Sequence, residues 1–386
     1  DDKIIERAAT EGTTEPELAR LYEEKYIEEM DRLDIIRPDY RPRATEYIDE
    51  MIAIIQDLVN RDMAYSTSSG VYFSVEKLDD YGALAHQSLD QLRENAGTRV
   101  EVDTEKQDPL DFALWKAAKP DEPAWESPWG LGRPGWHIEC VAMSLDLLGD
   151  DFDIHGGGDD LMFPHHENER AECVGCDRLF ARTWVHNGMV QVDNEKMSKS
   201  LGNFLTLNEL LSSWDPRALR LLVLQTHYRR TMEINEDGME AATAALDRLD
   251  SFERRIDGMD LPKMDPATDV IEKFRTAMDD DLGTAGGLAI IFDAVRAANS
   301  ALDNNNLEKA SSLVGAVHEL LAVLGISLLK ASNDGEDAEK INALVEARSK
   351  AKAAKDFTEA DRIREELSNR GIILEDGPSG TTWYRN

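Results

Sequence analysis

The chain has 386 residues, 41% of them hydrophobic, and no apolar run near membrane length, so two or three domains with cores of their own are expected and a membrane protein is not. Its 43 basic residues against 77 acidic ones give a formal charge of -34, the wrong sign for a protein whose whole surface grips a polyanion. Three cysteines, Cys140, Cys173 and Cys176, are too few for a disulfide framework and suit a reducing, cytoplasmic compartment.

The acidic residues are dispersed, as in Glu23-Glu24, Asp279 to Asp281 and Glu336 to Glu339. Such a surface is expected of a halophile, because in about 1 M salt the Debye length falls to about 3 Å and repulsion from RNA is screened.

In chain order, Thr14-Glu-Pro-Glu17 reads as a capping box that opens a helix with Leu18, Tyr22, Tyr26, Met30 and Leu33 on its apolar face. Pro38 and Pro42 end it. A second helix is expected from Ala44 to Asn60 and a strand from Gly70 to Val75. Glu76 to Thr104 is polar and weakly periodic, as in loops of an inserted subdomain. Trp115, Trp125, Trp129 and Trp136 then alternate with Pro120, Pro123, Pro128 and Pro134, which predicts an ordered loop whose tryptophans mostly serve a core.

His155 to Glu169 is the centre of the chain. The apolar run Phe152 to Ile154 predicts a strand that ends in a turn at Gly156, Gly157 and Gly158, with bare backbone open to a nucleotide. Pro164 suits the first turn of a helix. His165 and Glu169, four apart, then share one helix face at a spacing that suits a divalent metal, although such a pair is also common on a solvated face. Upstream, Gly135-Trp-His-Ile-Glu-Cys140 offers a thiol, a soft zinc ligand, beside an aromatic wall. Downstream, the strand end Met189 to Val192 leads to Lys196-Met-Ser-Lys-Ser200, whose two ammonium groups suit the charge developing on a phosphate leaving group. Cys173 and Cys176 form a lone Cys-x-x-Cys. Cys173 lies eight residues from His165, about 12 Å along a continuous helix, too far for the same tetrahedral centre. The pair is a separate metal or redox site or an inert half-buried pair.

From Trp214-Asp-Pro-Arg217 a long apolar helix runs through Leu224, and Asp237 to Leu329 has the periodicity of an antiparallel bundle. Residues 331 to 338 read as a linker. The tail, 339 to 386, carries Arg348, Lys350, Lys352 and Lys355 on one helix, a basic stretch in a very acidic protein, as an RNA contact requires.

These motifs, in this order and spacing, resemble the cysteinyl-tRNA synthetases, a family of class I aminoacyl-tRNA synthetases, over essentially the whole chain. The resemblance implies an α/β fold: an incomplete Rossmann-like catalytic domain with its insertion and stem-contact region over 1–230, a helical bundle over 231–330, the linker, and a small α+β anticodon-binding tail over 339–386. It implies that Cys140, His165 and Glu169 hold one zinc ion and that Trp136 lines the substrate pocket. Gly157, Gly158 and Asp160 would receive ATP and its ribose. Lys196 and Lys199 would act on the phosphates with Mg²⁺, Lys199 being the main contact. Phe357, where the family usually has Trp, would stack on the anticodon of tRNA(Cys), with Arg364 and Asp376 reading bases and Arg348 adding charge.

The implied reaction joins L-cysteine to ATP as an adenylate and then to the terminal ribose of tRNA, by positioning and charge rather than by a covalent nucleophile. Zinc gives such a site what shape cannot: thiol and hydroxyl differ by one atom, and the metal binds thiolate. The family also begins with a zinc-ligand cysteine and a His-Ile-Gly-His signature. This chain contains neither and opens at Asp1 without an initiator Met, so a fragment is expected, unable alone to complete the first step, with its zinc held weakly. Two rivals are the cysteine ligase of mycothiol synthesis, which has no use for an anticodon tail, and a non-catalytic RNA- or metal-binding product. A monomer is expected.

Overall fold

The structure, a computed structural model, describes residues 2–96, 105–120, 122–192, 195–196, 205–329, 338–370, 372–377 and 380–385. These fall into two compact units, one of Asp1–Gln191 with Arg229–Met232, the other of Val192–Tyr228 with Glu233–Asn386.

In the first unit, α1 (Asp2–Glu11) packs on α2 (Glu15–Arg32), which opens on the expected capping box: the Thr14 hydroxyl accepts from the Glu17 N–H, and the Glu17 carboxylate accepts from the Thr14 N–H. The apolar face of α2 is not a core face. Leu18 is buried, whereas Tyr22 and Tyr26 are exposed, with Arg7 and Lys25 over the Tyr22 ring. Tyrosines tolerate this because their polar tips keep water while their rings meet the stems of long cations.

A single 3₁₀ turn, Ala44–Glu46, stands where the second helix was expected to begin, and α3 (Ile48–Asn60) follows it, burying Met51, Ile55 and Leu58 on one face. The strands β1 (Ala64–Ser66) and β2 (Gly70–Phe73) form a hairpin, and α4 (Leu89–Ala96) interrupts the polar stretch after it. With β3 (Phe112–Ala117) and β4 (Gly132–Pro134) they make an antiparallel sheet in the order β1-β2-β3-β4. Trp115 is fully buried in its core, and Trp125 and Trp129 pack against that core, as expected of this aromatic stretch.

The polypeptide then builds a parallel pair. It runs through α5 (Trp136–Leu148), β5 (Phe152–Gly158), the single turn α6 (Asp159–Leu161), a kinked turn Met162–His166, α7 (Glu167–Gly175) and β6 (Ala181–Asn187). The register sets Gly156 opposite Val185, Gly157 opposite His186 and Gly158 opposite Asn187. The three glycines therefore continue the strand, which corrects the expected glycine turn. Parallel strands need a long crossover, and α6 to α7 supplies it, so the chain turns only after Gly158. Next come β7 (Val190–Val192) and β8 (Glu195–Lys196). Of the expected lysine pair, Lys196 has its backbone in β8, and Lys199 lies outside the described residues.

The second unit is mostly helical. α8 (Leu207–Ser213) and α9 (Pro216–Gln225) precede β9 (Met232–Ile234), whose first residue belongs to the other unit. α10 (Glu236–Ile256), α11 (Thr268–Asp279), α12 (Thr284–Asp303) and α13 (Leu307–Val323) form the expected bundle, packed mainly α11 on α12, α12 on α13 and α9 on α10. Of the expected linker, 331–337 lie outside the described residues and Ala338 is already helical.

The tail comprises α14 (Ala338–Ala353), α15 (Phe357–Ser368) and the hairpin β10 (Ile372–Gly377) and β11 (Gly380–Arg385), around a core of its own that includes Ile341, Ile363, Leu367 and Trp383. Arg348, expected on an RNA-contacting surface, is instead buried. It shares the face of α14 that carries Ile341 and Val345, at helical spacings of four and three, and this face packs inward.

Arg217 ties the bundle together. Its guanidinium reaches both oxygens of the buried Asp250 at 3.0 and 3.1 Å and the Ser327 carbonyl at 3.0 Å, and Asp250 also accepts the Leu329 N–H at 2.9 Å. Asp250→Ala would orphan the Leu329 N–H and leave Arg217 only Asp215, at 2.7 Å, and the Ser327 carbonyl, at an expected cost of about 2 kcal/mol in urea unfolding. A loss below about 1 kcal/mol would show that this network contributes little.

Candidate metal and nucleotide site

Three elements of the first unit deliver the donor atoms. α5 brings Cys140 one turn after its start, and the helix that follows Phe163 brings His165 and Glu169 on one face. The Cys140 sulfur, a His165 ring nitrogen and a Glu169 oxygen all lie within 4.8 Å of one another, and His165 and Glu169 are buried. A second set, His155, His166 and Glu169, meets the same limit, so Glu169 is common to both.

The orientation of these groups follows from their partners. His137 Nδ1 stands 2.8 Å from His165 Nδ1, which leaves His165 Nε2 facing Glu169 Oε1 at 3.4 Å. His155 Nε2 donates to Glu169 Oε2 at 3.0 Å. Glu169 Oε1 is buried and has no hydrogen-bond partner. A carboxylate oxygen of that kind is costly unless something positive meets it. Burial, with Glu169 next, pushes the Cys140 thiol up to about 12, a resistance to ionisation that a divalent cation would reverse. Sulfur, imidazole and carboxylate form a donor set that fits zinc.

The glycines serve this cluster by their lack of a side chain. A Cβ on Gly157 would lie 2.7 Å from His166 Cε1 and 3.0 Å from Leu161 Cδ1, and one on Gly158 would lie 2.6 Å from Asp160 Oδ1. Gly156 is roomier, its nearest neighbour being the Val185 carbonyl at 3.6 Å. Trp136, 56% exposed, stacks on His165 with ring centres 4.3 Å apart, as a wall beside the metal donors. Asp160 is exposed just beyond the strand end. A cavity of about 380 Å³ opens on Cys140 and His155.

The cluster contains groups that the sequence reading passed over. His137, His155, His166 and His186 are joined to it by ring contacts and hydrogen bonds, and His166 Nδ1 meets His186 Nε2 at 2.8 Å. Their signal was the density of histidine in motifs already marked, as in Trp136-His137. Glu167 and Asn168 do structural work: Glu167 accepts the Ala85 N–H at 2.9 Å, and Asn168 accepts the Tyr81 hydroxyl at 2.6 Å, so the loop after β2 is fixed to α7. Cys173 and Cys176 are buried in the main core of the unit, and the metal-binding groups found among the described residues do not include them. Burial raises both thiols.

Of the residues expected to meet RNA, Phe357 is 63% exposed at the start of α15 and Arg364 is exposed on the same helix. Asp376 lies in β10 opposite Thr381.

The histidines, Glu172 and the glycines each give a testable expectation. Burial, helped by neighbouring cationic and histidine groups, holds His137 and His166 down to about 3. They stay neutral when folded and gain protons when unfolded. Stability in EDTA is therefore complete above about pH 6.5 and lost as pH falls, by up to about 1.4 kcal/mol per pH unit for each ring. Glu172 has the opposite sign: burial and Glu169 raise it well above the usual range, and neither carboxyl oxygen has a hydrogen-bond partner. It keeps its proton when folded and loses it when unfolded, so Glu172→Gln should stabilise the protein at pH 8 and have little effect at pH 4. Equal effects at both would contradict this. Among the glycines, Gly157→Ala should cost about 1 to 3 kcal/mol by displacing His166, while Gly156→Ala stays within about 1 kcal/mol. Thermal unfolding of the pair decides it, and equal losses would refute the close-approach explanation.

Comparison with known proteins identifies the family. Residues 1–244 match the family described as tRNA synthetases class I (C) catalytic domain, 273–329 match the DALR domain, and 334–383 match the cysteinyl-tRNA ligase anticodon binding domain. The chain is 47% identical over 396 aligned positions to the cysteine-tRNA ligase of Vibrio vulnificus strain YJ016, covering 100% of this chain and 85% of that protein. The corresponding ligase of Haemophilus influenzae strain PittGG is 45% identical, with 100% and 84% covered. In fold, the chain is similar to Mycobacterium tuberculosis methionyl-tRNA synthetase bound by methionyl-adenylate, with a TM-score of 0.62 at 14% identity, covering 83% of this chain and 81% of that one. The Rossmann-like α/β catalytic region, helical bundle and α+β tail are thus those of a class I synthetase, and the chain belongs to the cysteinyl-tRNA synthetase family.

Proposed function

We propose that this protein is a cysteine-tRNA ligase whose choice of amino acid rests on a zinc ion held by Cys140, His165 and Glu169. The observation that carries the reading is the orphaned, buried Glu169 Oε1 facing an imidazole nitrogen within a sulfur, nitrogen and oxygen cluster. When bound, zinc supplies a Lewis acid that takes thiolate far more readily than hydroxyl, so L-cysteine is separated from serine by a bond. The protein's own groups set that bond's surroundings. His137 orients His165, His155 orients Glu169, and Trp136 closes one side of a small pocket.

The remaining roles follow the strand ends. Gly157 and Gly158 let a nucleotide approach the end of β5, and Asp160 is placed to accept the ribose hydroxyls of ATP. Lys196 and Lys199, with Mg²⁺, neutralise the pyrophosphate that leaves when the cysteine carboxylate attacks the α-phosphorus. The terminal ribose hydroxyl of tRNA(Cys) then takes the cysteinyl group. Residues 1–230 carry this chemistry, 231–330 contact the RNA body and 339–386 read the anticodon. On the tail, Phe357, Arg364, Lys352 and Lys355 are exposed, and Asp376 completes the base-reading set, while Arg348 serves packing. The tail's family match favours this reading over the ligase of mycothiol synthesis. Among the described residues no helix is long and apolar enough to cross a membrane. We place the protein in the cytoplasm as a monomer.

Cobalt(II) provides a visible probe of the metal site. Thiolate-to-cobalt absorption should strengthen on adding L-cysteine and stay unchanged with L-serine, and Glu169→Gln should weaken metal binding by more than about tenfold. The same response to both amino acids, or wild-type affinity in Glu169→Gln and Cys140→Ser, would refute the proposed site.

A further inference from the structure

The turn between α11 and α12 is strained beyond what the end of a helix requires. A helix is commonly closed by a single left-handed residue, usually glycine. Here Asp281 and Leu282 both have φ of 55°, while the adjacent Gly283 sits at -67°. Aspartate tolerates the left-handed region, but leucine does so only when its surroundings hold it there. Leu282 is 55% exposed, so burial of its side chain gives little in return.

The turn is held from two sides. Along α11, the Leu282 N–H donates to the Met278 carbonyl at 3.0 Å and the Gly283 N–H to the Ala277 carbonyl at 3.1 Å. A Cβ on Gly283 would lie 2.6 Å from that Ala277 oxygen, so the backbone is close-fitted there. From the other side, the Tyr228 hydroxyl donates to Asp281 Oδ1 at 2.7 Å, and His227 Nε2 lies 3.6 Å from Asp281 Oδ2.

His227 and Tyr228 are the last residues of the second unit before the chain enters the first as the strap Arg229–Met232. Within the first unit that strap is closely seated. The Met232 N–H donates to the Met189 carbonyl at 2.8 Å, and a Cβ on Gly188 would lie 2.3 Å from the Arg230 carbonyl oxygen. Gly188 and Met189 directly follow Asn187, which pairs with Gly158 at the strand end assigned to the nucleotide. The Asp281 hydrogen bond thus holds the residue that immediately precedes a four-residue strap, and Arg230 and Met232 of that strap lie against Gly188 and Met189.

We propose that Asp281 is a positioning residue for the ligase reaction: it fixes Tyr228, and through the strap sets Gly188 and Met189 beside the nucleotide-binding strand end. The strained turn is the geometry that brings its carboxylate to Tyr228. This assignment rests on the ligase reading above, and its test separates the two. In the full chain, Tyr228→Phe and Asp281→Gly, which keep the ring and the tolerance of positive φ, should speed hydrogen exchange at the Met232 amide by about tenfold, with α11 and α12 amides unchanged. The kcat for charging tRNA should fall about tenfold, with KM for tRNA within about twofold. Unchanged Met232 protection in both variants, or equal loosening of α11 and α12, would overturn the proposal, since either marks a turn that only stabilises the bundle. Failure of the wild-type chain to charge tRNA would count against the ligase reading alone, and the exchange data would still decide the role of Asp281.

Discussion

A buried carboxylate with one oxygen satisfied and the other unmet is the constraint on which the catalytic half of this structure depends. His155 holds Glu169 Oε2, while Oε1 lies 3.4 Å from His165 Nε2 and has no hydrogen bond. A charge in such a place is tolerable only when a cation or a proton answers it. The surrounding donors are soft and borderline ligands, and this favours a metal over a proton. The neighbouring Glu172, equally buried but three residues further along α7, is outside both metal-binding groups and keeps its proton instead. Two carboxyl groups on one helix thus meet different surroundings: Glu169 faces sulfur and imidazole donors, and Glu172 faces a core without a hydrogen-bond partner.

Much of the rest serves to bring that oxygen to its place. The helix carrying Glu169 is fixed by Glu167 and Asn168, which bind the loop around Tyr81 and Ala85, and by the apolar packing of Ala171 and Cys173. β5 contributes His155 and then three residues without side chains. At Gly157 the missing Cβ is where the His166 ring lies. The same bareness that suits a nucleotide at the strand end therefore first serves the packing of the histidines behind it. Close packing of this kind makes Gly157, unlike Gly156, sensitive to a single added methyl group.

The sequence was most legible where chemistry and local geometry coincide. His165 and Glu169 were legible as a pair because a spacing of four puts them on one helix face, whereas Cys140 joined them through the family resemblance, and the fold brings the three donors within 4.8 Å of one another. The capping box at Thr14 and the helical bundle were readable because each depends on neighbours within a few residues. Failures came where tertiary packing decides. The run of glycine resembled a turn, yet pairing with β6 keeps it extended. The stripe along α2 had helical spacing, yet only Leu18 of it is buried, and its two tyrosines meet water. Arg348 looked like one more cation on a basic helix, but its place on the face of Ile341 and Val345 turns it inward. The histidine cluster was hidden because its members come from four separated segments. Periodicity cannot reveal a contact such as that of His166 with His186 across a parallel pair.

On the proposed reading, the substrate's sulfur joins a metal already held by a protein sulfur, an imidazole and a carboxylate. X-ray absorption at the zinc edge tests this most directly. The zinc-loaded protein should show sulfur from Cys140 beside nitrogen and oxygen donors, gaining one further sulfur when L-cysteine is added and none with L-serine. A shell without sulfur, or one that L-cysteine leaves unchanged, would contradict it.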